Sequence, residues 1–99
     1  MIDAATVDLP VDYNNLSAGE RKIIRDRYVV AQNGKCMHCG KHLSFKPPAK
    51  IRRLEIQWEA FPPNFLKFPV HLQHNHDTGL TEGAVHAYCN AVLWQYHGR

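Results

Sequence analysis

Cys36, Cys39, His86 and Cys89 occur as two short pairs, CMHC and HAYC, each with two intervening residues, and 46 residues separate Cys39 from His86. A chain that brings such pairs together must fold around the point where they meet. Zinc prefers a tetrahedral set of sulfur and nitrogen donors, and two pairs from distant segments supply one. Cysteines can also serve as small buried apolar residues, but all three in this chain fall into the pattern. His38, between the first two cysteines, reads as a surface residue. Metal binding would be folding free energy. That matters for 99 residues, since a domain of that size withdraws only about two-thirds of its unfolded surface from water.

Three cysteines cannot all pair within the chain, and the first ten residues, MIDAATVDLP, lack the basic start and apolar run of a signal peptide. Both points favour a reducing, cytoplasmic setting. No stretch approaches the roughly 18 to 20 apolar residues of a membrane span. The net charge of +3 is unevenly spread: residues 15 to 55 hold ten Lys or Arg against three Asp or Glu, while residues 1 to 14 hold three Asp and no base. An excess of that size suits a polyanion such as DNA or RNA, or else forms a solvated basic face.

Residues 1 to 14 read as an irregular acidic arm and residues 15 to 99 as a single domain. Ser17 precedes Glu20 at capping-box spacing, and Ile23, Ile24, Tyr28 and Ala31 repeat at helical intervals, predicting a helix over 18 to 32. Asn33-Gly34 supplies its stop. Arg21, Lys22, Arg25 and Arg27 fall on its polar face. In AKIRRLEIQWEAF, Ile51, Leu54 and Trp58 fit a helix while Leu54, Ile56 and Trp58 alternate as in a strand; Pro47 or Pro48, suited to a first helical turn, tips the reading to helix. FPPNFLKFP is a connector whose aromatics cover the core. Strands are expected from Val70 and over Leu80 to Val85, with a turn at Asp77-Thr78-Gly79 and a closing helix from Asn90 to Tyr96, where Trp94 packs into the core. The fold class is α+β: N-terminal helix, zinc knuckle, β-hairpin and C-terminal helix.

HLQHNHDTG at positions 71 to 79, with CMHC before it and HAYCN after it, resembles the HNH endonucleases, whose ββα-metal (His-Me finger) site sits on a hairpin and a following helix. The most similar branch is the small phage type, including recombination endonucleases, that carries a zinc knuckle and ends its signature in Cys-Asn. The resemblance covers roughly residues 36 to 97. It implies that His74 is the general base, that Asn90 binds a catalytic Mg²⁺ or Mn²⁺ ion, and that His76 contacts phosphate or shapes the site. It also implies a phage or prophage protein that cuts double-stranded or branched DNA in a bacterial cytoplasm.

Position 73 departs from the family, which has Asp or His there as the ion's second protein ligand. Gln73 offers a neutral oxygen, weaker toward a hard cation than a carboxylate. Gln73 then binds weakly with phosphate completing the shell, or reflects an inactivating change, or marks a protein that has lost cleavage. His71 could substitute as donor, but it lies two positions further from the turn, and with His42 and His97 it reads more readily as a surface or capping residue. Neighbours in a regular strand face opposite ways, so Gln73 and His74 can share a site only if the strand bends between them. His97 follows Asn90 by seven residues, a rise of roughly 10 Å, which is too far to share one ion.

The reading that follows is a metal-dependent endonuclease of reduced or conditional activity, weakened by Gln73, with Arg21, Lys22, Arg25, Lys50, Arg52 and Arg53 holding the nucleic acid backbone. The alternatives are a catalytically inactive, zinc-stabilised DNA-binding module and a zinc-knuckle domain for protein partners. The oligomeric state is not readable from the residues.

Overall fold

Ser17 opens the first helix in the way its spacing predicts. Its hydroxyl accepts from the Glu20 N–H at 3.2 Å, and the Glu20 carboxylate accepts from the Ser17 N–H at 2.7 Å. Two otherwise orphaned donors are thereby satisfied. The computed structural model describes residues 3–98, and in it α1 spans Ala18–Ala31. The helix ends where Asn33 and Gly34 take positive φ angles of 55° and 74°.

The segment before α1 is irregular but firmly packed. Ala4, Val11 and Leu16 are buried against Ile24 of α1 in one small core cluster. Arg27 donates to the Ala4 and Val7 carbonyls at 3.1 and 2.6 Å. Val11 exchanges backbone and hydroxyl bonds with Thr81, whose Oγ1 also meets the Tyr28 hydroxyl at 2.9 Å. Ile24 is fully buried at the centre of this cluster, so truncation to Ala should cost about 2–5 kcal/mol.

Between Pro47 and Pro62 the expected helix is largely replaced. One turn, α2, spans Ala49–Arg52, and a 3₁₀ turn follows at Trp58–Ala60. The reason lies elsewhere in the chain. The Arg52 and Leu54 carbonyls accept from the Tyr88 hydroxyl, the Glu55 carbonyl accepts from Gln95 Nε2, and the Gln57 N–H donates to Gln95 Oε1. Side chains of the last helix have taken the backbone groups that a longer α2 would need for itself.

The hairpin consists of β1, Val70–His74, antiparallel to β2, Thr81–His86, and α3 follows over Ala87–His97. α3 therefore begins three residues before the expected Asn90. Val70 pairs with His86 and Gln73 with Gly83, but His74 pairs with Thr81, so Glu82 is an extra residue and the ladder shifts between Gln73 and His74. The bend that the sequence requires there is a β-bulge. Gly83 sits where the backbone is crowded: a Cβ would come within 2.7 Å of Met37 Sδ and 2.8 Å of Gln32 Oε1.

The main core lies between hairpin, α2 and α3, built from Leu43, Ile51, Ile56, Ala84, Val85, Val92 and Leu93. The result is a small α+β domain with a two-stranded antiparallel sheet. Among the described residues no helix is long and apolar enough to cross a membrane.

Candidate metal centre and adjoining cavity

The two distant pairs meet. The ligand atoms of Cys36, Cys39, His86 and Cys89 all lie within 4.8 Å of one another. The CMHC turn is held to β2 by the Met37 N–H bonded to the Ala84 carbonyl, and His86 ends that strand. His86 Nδ1 is 3.4 Å from Cys39 Sγ and 3.7 Å from Cys89 Sγ. A tetrahedral zinc with bonds of about 2.0–2.3 Å holds a nitrogen and a sulfur about 3.6 Å apart. The other ring nitrogen, Nε2, meets the Phe45 carbonyl at 2.7 Å and the His42 carbonyl at 3.2 Å. An N–H there leaves the Nδ1 lone pair aimed at the thiols, as in histidines that bind metal.

The thiols themselves favour a cation. The hydrogen bond from Cys89 lowers the Cys36 pKa, while that same bond, with burial, raises Cys89; burial also raises Cys39. Three crowded sulfurs cannot all ionise without a positive charge among them. The donor set can therefore hold a metal ion such as zinc. His38 stands outside the set and packs its ring against His97.

Asn90 follows the last of these cysteines and faces a different space, a cavity of about 490 Å³. His71, Gln73, His74 and His76 from the hairpin line it, with Arg21 and Arg25 from α1. Two partly buried aromatics of the connector, Phe61 and Phe65, form part of its wall. His74 is half-buried, and burial first, then the positive potential of His76 and Arg21, lowers its pKa. It is thus neutral at pH 7 and able to accept a proton. His76 lies 4.5 Å from it, ring to ring.

Gln73 lines this cavity but is only 2 % exposed. Its Nε2 donates to the His74 carbonyl at 3.0 Å and to Glu82 Oε1 at 3.2 Å, stapling the bulge. Asn90 instead bonds His71, with Nδ2 to Nδ1 at 3.1 Å.

The basic residues separate into groups. Arg21 and Arg25 line the cavity. Arg21 also has a buried Nε without a hydrogen-bond partner. Lys22 points outward and pairs with Asp26 at 2.8 Å. Lys50, Arg52 and Arg53 are exposed on or beside α2, outside the cavity lining, and Arg52 Nε is tied to the Pro47 carbonyl. Trp94 is corrected from core to surface: it is 46 % exposed, packs edge-on against Phe61 and lines the cavity.

Sequence reading missed Tyr13, whose ring stacks on His74. No spacing signal links residues so far apart. His71, which reads more readily as a surface or capping residue, is instead half-buried in the cavity wall with its ring edge-on to Phe65.

Comparison with protein-family models, with curated proteins and with solved structures returned no match.

Proposed function

We propose that the protein is a metal-dependent HNH-type endonuclease that hydrolyses DNA phosphodiester bonds, with hairpin and α3 acting as a ββα-metal finger. The observation that carries this reading is the convergence of His74 and Asn90 on one cavity beside a separate Cys₃His donor set. A base and a metal ligand serve one reaction only if they face a common space.

In this reading His74 takes the proton from the attacking water, a task its neutral imidazole suits. Arg21 and Arg25, which line the cavity, hold the phosphate through their guanidinium groups. His76 closes the solvent side, next to His74. A divalent ion such as Mg²⁺ or Mn²⁺ at Asn90 would supply stabilisation of the charge on the phosphate and the leaving 3′ oxygen. The Cys₃His set, with zinc, clamps the knuckle to the start of α3.

A second reading, a DNA-binding module without cleavage, draws support from Gln73, a neutral oxygen donor that is weaker toward a hard cation than the carboxylate the resemblance calls for. Incubation with supercoiled plasmid and Mg²⁺ or Mn²⁺ separates the two. Nicking that disappears in His74→Ala supports the enzyme. DNA retention with no nicking supports the module, and absence of salt-dependent DNA binding removes both.

A further inference from the structure

We infer that Phe68 and Trp94, backed by Phe61, form a base-stacking subsite in the cavity, so that the nucleotide taken there is unpaired, either in a single strand or extruded from a duplex. DNA as the ligand rests on the nuclease reading, whereas the stacking surface does not depend on cleavage.

The exposed rings are the first observation. Phe68 is 57 % and Trp94 46 % exposed, and both line the cavity. Trp94 is held from behind: Phe61 meets it edge-on at 5.2 Å, and Phe61 is itself packed by Phe65 at 4.8 Å and by Trp58 at 5.8 Å. The connector that carries Phe61, Phe65 and Phe68 is tied into turns, with the Phe65 N–H bonded to the Pro62 carbonyl and the Lys67 N–H to the Asn64 carbonyl, both at 3.0 Å. Rings fixed before a ligand arrives lose little freedom on binding it. Large apolar groups gathered on one concave surface, with the stabilisation of burial forgone, mark a binding site.

Charge is the second observation. Arg21 and Arg25 line the same cavity, and Lys67 Nζ stands 5.6 Å from the Phe68 ring centroid. Cations beside open aromatic faces are how proteins hold a single strand, the cations tracking phosphates while the rings stack on bases. A paired duplex calls for the cations alone, because its bases stay stacked on one another and offer no free face until one is flipped out. The space is adequate, since a cavity of about 490 Å³ falls within the range of about 300–1,000 Å³ typical of small-ligand sites.

The test is fluorescence anisotropy with labelled strands and zinc-loaded protein, no other divalent ion being added. Oligothymidine should bind about 5- to 100-fold more tightly than a base-free strand with the same number of phosphates. Trp94→Ala and Phe68→Ala should each remove most of that difference, while Trp94→Phe, which keeps a π face, should retain it. Phe45→Ala, which removes an exposed ring outside the cavity lining, should change nothing. A duplex with one bulged thymine that outbinds its fully paired counterpart would identify an extruded base as the ligand, and parity of the two duplexes would identify the single strand. The inference fails if base-bearing and base-free strands bind wild type alike, a comparison that stands whether or not the variants fold. It also fails if both alanine variants, shown folded by their zinc content, keep the wild-type difference, or if Phe45→Ala loses as much as they do. Nicking that needs His74 in a protein indifferent to bases would leave the nuclease standing and remove the subsite. A base preference lost in Trp94→Ala, without nicking by wild type, would keep the subsite and remove the nuclease.

Discussion

The rings of Tyr13 and His74 lie parallel, with centroids 3.8 Å apart and an interplanar angle of 6°. The Arg21 guanidinium carbon is 3.9 Å from the same tyrosine centroid. Two groups that close cannot share one face, so the tyrosine is held between them. A residue of the N-terminal segment therefore fixes the imidazole proposed as base. We expect Tyr13→Ala to lower plasmid nicking by about 10- to 100-fold, the cost of a misaligned catalytic group. Tyr13→Phe keeps the ring and should stay near wild type. Equal rates for all three proteins would rule out this positioning role.

The pH profile carries a definite sign. Nicking needs neutral His74, so its rate falls as pH drops through that pKa. Burial, followed by His76 and Arg21, holds the value below the ordinary 6.5. The acid-side midpoint of kcat/KM should therefore lie below pH 6.5, with activity level above it. Tyr13→Ala uncovers the ring and should move the midpoint upward. A wild-type midpoint on the alkaline side of the ordinary value would contradict the assignment.

Removal of the clamping ion should unfold the chain. Binding to structural zinc sites has an apparent free energy of about 10–16 kcal/mol, as large as the whole stability of a typical small domain at about 5–15 kcal/mol. Elemental analysis should find one zinc at the Cys₃His centre. A strong chelator, or Cys89→Ser, should abolish cooperative melting by circular dichroism. A chelated protein that still melts cooperatively would show that the core suffices.

Arg21 and Lys22 are neighbours with different expected roles. Arg21 lines the cavity, whereas Lys22 is paired with Asp26 at the surface. Arg21→Ala should weaken DNA binding and reduce the salt slope of log K by about 1, the signature of one lost phosphate contact. Lys22→Ala should change that slope less. Filter binding over a salt series distinguishes them, and a larger effect from Lys22 would move the backbone path off the cavity.

Ser17 gives a control on the scaffold alone. Ser17→Ala removes the hydroxyl acceptor of the cap and should cost about 1 kcal/mol in urea unfolding. Its loss leaves the Cys₃His donors untouched, so zinc content should not change.

Local chemistry was legible where neighbours in sequence decide the outcome. The Ser17 cap, the Asn33-Gly34 stop, the hairpin turn and the two Cys/His pairs were all readable, as was the need for a bend between Gln73 and His74. Long-range demands were not. Residues 49 to 61 had a helix-compatible pattern, but Tyr88 and Gln95 take their backbone groups. Trp94 looked like core because aromatics usually are, yet its helix turns it toward the cavity. Tyr13 gave no signal, since its value depends on meeting a strand some 60 residues later.

Cys89 and Asn90 are adjacent on α3 yet serve different centres, the first a thiol cluster and the second the cavity. Each residue of a helix advances the azimuth by about 100°, so the angular offset between the two centres is written into a peptide bond. Inserting a single alanine after Cys89 would leave the sulfur in place and swing the amide around the helix axis. The spacing of one residue between these two side chains therefore fixes the relative bearing of the two centres.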